Sequence, residues 1–391
     1  SSDLGAMVSV SSAIVMDDEG TVYFERSADE QVKIASLTKL MTAIVALENA
    51  EETDTITVDH AAATVGESSA NLREGDTFDL KTALKALLIP SGNDAAMAIA
   101  TSVGAIMDPS SDDPYGVFID AMNAKAEELG LGALFANPHG LDFGAWEADM
   151  HASARDVAIM LAYAMENETF REVDGCGEDS IIVTGADGKK RTVSFHPWNR
   201  ILGEEGNIGG KTGTTYVSGK CFAGTFLRDG EEVYVVVLGC PEDDDRFNDT
   251  LALANWYYDH TETVNVVQGD VTTMEGETLV GRATASAWTD KTVDVVANDP
   301  DATVRVFTLA GELSLDVELE EFPGAVHRGD PAGKLTLYQG NGTLATIDLI
   351  AAEDVPEPSP FEWAMVQFDR FTRWITGKPA PHEVFATVPQ V

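Results

Sequence analysis

The sequence predicts an α/β (α+β) domain in which helices pack on an antiparallel sheet, then a small all-β domain and a C-terminal amphipathic helix. Three observations predict it. β-Branched-rich runs stand at both ends of a helical middle, so one sheet is built from segments distant in sequence. After His260 the texture changes to short alternating segments separated by Gly, Asp and Asn turns. A Pro-rich break, Val355-Pro356-Glu357-Pro358-Ser359-Pro360, then precedes an aromatic stretch. At 391 residues the chain exceeds what one core sustains, about 250–300 residues. The expected boundaries are 1–261, 262–352 and 353–391.

The elements follow in chain order. Residues 8–15 and 21–24 flank Asp17-Asp18-Glu19-Gly20 and read as a β-hairpin. Leu37, Leu40, Met41, Ile44, Val45 and Leu47 recur at three- and four-residue spacing, giving a largely buried helix over 36–50. Helices are also expected at 79–88, 93–104, 116–129 and 153–165, each bounded by Gly, Pro or Ser/Asp caps. Strand character returns over 214–228, turns at Asp229-Gly230 and continues through 233–238, and a last helix, about 246–259, closes the domain. Segments such as 292–296 and 302–307 alternate as strands of the second domain. The stretch 361–376 holds Phe361, Trp363, Met365, Phe368, Phe371, Trp374 and Ile375.

Composition narrows the function. With 25 Lys+Arg against 66 Asp+Glu the net charge is −41, while 44% of residues are hydrophobic, so this is an acidic folded protein and not a disordered tail. That charge repels phosphate backbones, and nucleic-acid partners are excluded. No run of 18 apolar residues offers a membrane span. The start at Ser1-Ser2-Asp3, without Met, is what a processed exported product shows. Cys176, Cys221 and Cys240 are too few for a disulfide scaffold. Cys221 and Cys240 fall near opposite positions of one hairpin, where a bridge is conceivable and two buried thiols are the preferred reading.

Three short motifs carry possible chemistry. Ser36-Leu37-Thr38-Lys39 sets Ser36 and Lys39 on one helix face about one turn apart. A hydroxyl nucleophile needs a neighbouring base, and an ammonium pressed against Ile34, Leu40 and Met41 loses hydration and shifts toward its neutral form. Taken alone, the motif fits an N-cap serine with a solvated lysine better. Ser91-Gly92-Asn93 follows a Pro and can project a hydroxyl and an amide into a cleft, or simply cap a helix. Lys211-Thr212-Gly213, after Gly209-Gly210, leads into a strand, where the missing side chain of Gly213 lets an extended substrate lie on the strand edge. A surface turn is the plainer alternative.

In that order, Ser-x-x-Lys, Ser-x-Asn and Lys-Thr-Gly form the combination of penicillin-binding proteins and serine β-lactamases. Longer stretches narrow the likeness: Ala35-Ser36-Leu37-Thr38-Lys39-Leu40-Met41-Thr42, Pro90-Ser91-Gly92-Asn93-Asp94-Ala95-Ala96, Asn137-Pro138-His139-Gly140-Leu141-Asp142, Ser153-Ala154-Arg155-Asp156 and Gly210-Lys211-Thr212-Gly213. Over 8–260 the chain resembles the low-molecular-mass D-alanyl-D-alanine carboxypeptidases, and the trailing β domain and tail match that layout. The resemblance implies a β-lactamase/transpeptidase-like fold and an extracytoplasmic enzyme that trims the terminal D-alanine from peptidoglycan pentapeptide stems and is inhibited by β-lactams. It implies Ser36 as acylated nucleophile, Lys39 as its base, Ser91 and Lys211 as the relay to the leaving D-alanine, and Asn93 as the group holding the peptide amide. It further implies an oxyanion hole at the N–H groups of Ser36 and Thr214, with Thr212 and Arg246 on the substrate carboxylate. Asp243, Asp244 and Asp245 precede Arg246 and compete for it. No cofactor is implied.

Other readings remain at this point. A class A β-lactamase needs a glutamate for its deacylating water, and Glu127 and Glu128 lack the expected asparagine context. Seven scattered histidines without His-Glu-x-x-His argue against a zinc peptidase, leaving His139 and His151 as structural or cleft-rim residues. A catalytically quiet wall-binding module is the alternative from another class. The 361–376 segment suits a membrane surface or packing on a neighbouring domain, with Glu362 and Asp369 set against Arg370, Arg373 and Lys378.

Overall fold

The computed structural model describes residues 8–289, 291–376 and 383–390, with side chains in the last helix described through Phe371. Ser1-Ser2-Asp3, Lys378 and the side chains of Arg373, Trp374 and Ile375 therefore lie outside the described residues. The chain divides into two compact units, Ser1–Tyr257 and Tyr258–Val391.

The first unit begins with the hairpin β1 (Ser12–Asp17) and β2 (Val22–Arg26), then a 3-10 turn (Ala35–Thr38) that runs into α1 (Lys39–Asn49). Next come β3 (Thr55–Thr57), α2 (His60–Thr64), β4 (Thr77–Asp79), α3 (Leu80–Leu88), α4 (Asn93–Met107), α5 (Pro114–Glu128), α6 (Ala154–Met165) and α7 (Glu168–Asp174). The unit closes with β5 (Asp179–Thr184), β6 (Lys190–Phe195), β7 (Asn207–Thr215), β8 (Gly219–Arg228), β9 (Glu231–Cys240) and α8 (Asp245–Asp259). The main sheet has the order β2-β1-β9-β8-β7, antiparallel throughout, and joins the start of the chain to residues more than 200 positions later through pairs such as Ile14 with Val236. β2 and β7 are its two edge strands.

Two expectations are corrected. The Lys-Thr-Gly segment is not a turn before a strand, because β7 already starts at Asn207 and carries Lys211, Thr212 and Gly213 in its ladder. The middle of the chain is not wholly helical: β3, β4, β5 and β6 form a second, four-stranded sheet. The β5–β6 hairpin turns at Gly185-Ala186-Asp187-Gly188, between two runs rich in Ile, Val and Thr, so a hairpin signal was present in the sequence.

α1 is the spine of this unit. Every residue from Lys39 to Ala46 is buried, and the helix packs against α3, α4, α5 and α6. Each fully buried Leu, Met, Ile or Val there contributes roughly 1.5–3 kcal/mol. α4 and α5 meet at Gly104, where a Cβ would stand 1.9 Å from the Pro114 carbonyl oxygen. The three cysteines are free thiols, Cys221 and Cys240 buried in β8 and β9, which is the preferred sequence reading. Burial pushes the Cys221 thiol up to about 11.

In the second unit, β10 (Thr261–Asn265), β11 (Gly281–Thr284), β12 (Thr292–Ala297), β13 (Thr303–Phe307), β14 (Leu313–Leu319), β15 (Pro331–Gln339) and β16 (Gly342–Ala351) precede α9 (Pro360–Thr376) and β17 (Glu383–Val384). They form a six-stranded sheet, β14-β15-β16-β12-β11-β17, and the pair β10-β13, around a core of Val266, Val280, Val293, Val295, Leu335 and Leu337. α9 buries Val366 but leaves Phe361, Trp363, Met365, Phe368 and Phe371 exposed.

Candidate active site

The site is built around the turn that carries Ser36. In 3-10 geometry residues i and i+3 eclipse, so the turn points Ser36 and Lys39 the same way, and Lys39 Nζ lies 2.8 Å from Ser36 Oγ. Ala35 enters at φ +49°, a left-handed conformation that a non-glycine residue holds only when its surroundings enforce it. Two glycines enforce it. A Cβ on Gly140 (φ +86°) would stand 1.8 Å from the Ala35 carbonyl oxygen, and one on Gly213 would stand 2.7 Å from that of Ile34. This corrects the reading of Gly213 as an opening for substrate, since the space its side chain would take is filled by Ile34, Leu37 and Ala35.

Lys39 is fully buried, and its Nζ has three partners: Ser36 Oγ at 2.8 Å, Asn93 Oδ1 at 2.8 Å and the His139 carbonyl at 3.0 Å. The amide of Asn93 cannot be reversed, because its Nδ2 donates to the Gly66 carbonyl. Two of the three lysine partners are thus pure acceptors. A neutral amine has two N–H groups and one lone pair, so satisfying both acceptors aims the lone pair at the Ser36 hydroxyl. Burial, with the charge of Lys211 added, holds Lys39 well below the usual lysine range despite the pull of Asp94.

Ser91 sits at φ +60° between α3 and α4, and Asn93 opens α4. The loop facing them is gathered by the buried Asp94, which accepts from Ser69 Oγ (2.6 Å) and from the N–H groups of Ala70, Ala95 and Leu72. Replacing Asp94 by Ala orphans these donors together. We expect a loss of at least about 3 kcal/mol in urea unfolding. A loss within 0.5 kcal/mol, roughly the level of an ordinary surface change, would refute the clamp.

On β7, Lys211 is buried and donates to Ser91 Oγ and to the Thr212 carbonyl, both at 2.8 Å. Burial lowers it to about 7, Asp174 opposing and Arg246 assisting. Thr212 is buried beside it and Thr214 is exposed on the same strand. Arg246, only 3% exposed, donates to Thr214 Oγ1 (2.9 Å) and the Gly213 carbonyl (3.2 Å) and pairs with Asp243 at 2.6 Å. Of the three acids expected to compete for it, Asp243 does so. Asp244 pairs with Arg200, and Asp245 accepts the N–H of Glu242.

Sequence reasoning gave no role to the Asn137–Gly140 turn, which supplies one of the Lys39 acceptors. Asn137 Oδ1 accepts from Gly140 N–H (2.7 Å), its Nδ2 donates to the Leu141 carbonyl, and Thr42 on α1 ties down the Pro138 carbonyl. His139 is fully buried, its ring edge-on to Trp146, and burial lowers it to about 2. Its Nδ1 accepts the Leu141 N–H, and of the two readings expected for it, structural or cleft-rim, this burial favours the first. Glu127 and Glu128 are exposed at the end of α5, where Glu128 pairs with Lys125.

Residues 3–242 match the profile of the peptidase S11 family, described as D-alanyl-D-alanine carboxypeptidase. D-alanyl-D-alanine carboxypeptidase DacF of Bacillus subtilis is 26% identical over 362 residues, covering 88% of this chain and 85% of that protein. The crystal structure of the Streptomyces K15 DD-transpeptidase is similar at a TM-score of 0.59 and 28% identity, covering 63% of this chain and 96% of that one. The D-alanyl-D-alanine carboxypeptidase DacD from Francisella tularensis shares the fold over 90% of this chain and 94% of its own, with a TM-score of 0.61 at 22% identity.

Proposed function

This chain belongs to the peptidase S11 family of D-alanyl-D-alanine carboxypeptidases and is a serine hydrolase of that kind, and on that premise we propose that Ser36 forms its acyl-enzyme. Lys39 takes the Ser36 proton, and Oγ attacks the carbonyl of the penultimate D-alanine of a peptidoglycan stem. The N–H groups of Ser36 and Thr214 hold the oxyanion, a preorganised pair that strengthens as charge develops. Ser91, backed by the Lys211 ammonium, passes a proton to the departing D-alanine nitrogen, while Asn93 holds the peptide amide. Lys39 hands its proton on to Ser91 and is neutral again; water then attacks the acyl carbonyl with Lys39 as base, the bond to Ser36 Oγ breaks, and Oγ takes back the proton from Lys39. A β-lactam enters the same sequence and stays on Ser36. The observation that carries this reading is the Lys39 amine, whose two other contacts leave its lone pair facing Ser36.

Penicillin labelling followed by peptide mapping tests it. The adduct should fall on the peptide holding Ser36 and vanish in Ser36→Ala. An adduct on another serine refutes the assignment.

The substrate carboxylate is drawn to Thr212 and Thr214, with Arg246 supplying the charge behind Thr214. Arg246→Ala should lower kcat/KM about 10–100-fold, mainly through KM. An unchanged KM would remove Arg246 from substrate binding.

Substrate of this kind lies outside the cytoplasmic membrane, and we assign the enzyme to that compartment. The exposed aromatic face of α9 supports a contact with a membrane surface. Co-sedimentation with zwitterionic vesicles that is lost in Trp363→Ala/Phe368→Ala would support the contact, whereas wild-type protein left in the supernatant would refute it.

A further inference from the structure

The catalytic reading above, on which this inference rests, places the Lys211 ammonium behind Ser91, inside a buried site. Both groups that Lys211 Nζ donates to, Ser91 Oγ and the Thr212 carbonyl, are neutral. Arg246 on α8 and Lys39 on α1 repel its charge, and Asp94 on α4 acts on Lys39. A buried cation without a counter-charge gives up its proton.

One carboxyl enters on the face of β7 that carries Lys211. Side chains alternate along a strand, so Gly209 shares that face. Gly209 and Lys211 are buried, while Gly210 between them is half-buried. A Cβ on Gly209 would stand 2.5 Å from Asp174 Oδ2, so the Asp174 carboxyl occupies the space that Gly209 leaves open. Residues i and i+2 of a strand are about 7 Å apart, which sets the carboxyl one side-chain position from the base of Lys211. The end of α7 is pressed onto the strand to bring it there, since a Cβ on Gly175 would stand 2.9 Å from the Ile208 carbonyl oxygen.

Asp174 is only 7% exposed, and its Oδ2 has no hydrogen-bond partner among the described residues. The cations of α7 and α3 are engaged by other acids: Arg171 by Glu232, Lys81 by Glu172 and Lys85 by Asp179. The half-buried Cys176 thiol is pushed up by burial and, further, by the Asp174 charge. Burial pushes Asp174 itself up to about 7, while Lys211 and the Gly210 N–H pull it toward the ionised form. We propose that Asp174 is the counter-charge of Lys211, a positioning residue that keeps the lysine an ammonium while Ser91 passes its proton to the leaving D-alanine. Asp174 takes no part in the proton transfers.

The working form of Lys211 is protonated, so activity falls as pH rises through its pKa. Removing the negative charge of Asp174 brings that fall to lower pH. Asp174→Asn keeps the shape of the side chain and removes its charge. Profiles of kcat/KM against pH for D-alanine release from acyl-L-Lys-D-Ala-D-Ala, with a thermal melt on each preparation, compare this variant with wild type. Its alkaline limb should lie about one pH unit below that of wild type, making it about tenfold slower beyond both limbs. On the acid side, where Lys211 is protonated in either protein, the rates should agree within about twofold. A merely structural role would lower the rate equally at every pH. Alkaline limbs that coincide, or a uniform loss, overturn the proposal, and a penicillin label that stays on Ser36 then leaves the catalytic reading standing. Asp174→Ser, smaller and equally neutral, should repeat the shift. Loss of a folded melt in both variants assigns Asp174 to the fold alone and likewise overturns the proposal. Wild type that neither releases D-alanine nor takes the label overturns the catalytic reading as well.

Discussion

Lys39→Ala is expected to slow acylation of Ser36 by at least about 10³-fold, toward the upper end of what a positioned general base supplies. The expected loss is large because no other amine among the described residues is placed for the task, Lys211 being bound to Ser91 and the Thr212 carbonyl. Lys39→Ala also leaves Asn93 Oδ1 and the His139 carbonyl without their donor, a cost of about 1–3 kcal/mol for each buried orphan. Stopped-flow acylation by a chromogenic β-lactam, with a thermal melt as control for folding, measures both effects. In wild type the acylation rate should fall on acidification through the pKa of Lys39, which lies well below the ordinary lysine range. A variant that retains a folded melt and acylates within tenfold of wild type would exclude Lys39 as the base.

Gly140→Ala is expected to damage stability and chemistry together. The added methyl would stand 1.8 Å from the Ala35 carbonyl oxygen, and the residue would be held at φ +86°. The left-handed backbone alone costs roughly 1–2 kcal/mol, and separating the two backbone segments brings the expected total above about 3 kcal/mol. Relief of the clash moves either the Ser36 turn or the His139 carbonyl, and a displacement near 1 Å costs about 100-fold in rate. Urea unfolding and penicillin acylation on the same preparation measure the two losses. A stable variant with normal acylation would show that the turn is not held by this contact.

The reactive groups were legible because each motif is contiguous and its residue types are tied to one chemistry: Ser36 with Lys39, Ser91 with Asn93, Lys211 with Thr212. The longer helices and the strands β1, β2, β8 and β9 of the main sheet were legible through apolar spacing and turn residues, whereas the edge strand β7 was not. What holds the reactive groups was not. Lys39 bonds to a carbonyl 100 positions away and Lys211 to a hydroxyl 120 positions away, and periodicity in a short window contains neither pairing. Gly140 and Gly213 are needed because backbone from distant segments passes close by. A glycine in a sequence does not say what it faces, which is why Gly213 was read as a substrate opening. The competition for Arg246 was visible as three adjacent acids, but only the fold shows that Asp243 wins it.

The central claim is that Ser36 hydrolyses the D-Ala-D-Ala bond. The most direct measurement is D-alanine release from acyl-L-Lys-D-Ala-D-Ala by wild type and Ser36→Ala, side by side. The account predicts steady release by wild type and none above background by the variant. Release that persists in Ser36→Ala, or is absent from both, would contradict it.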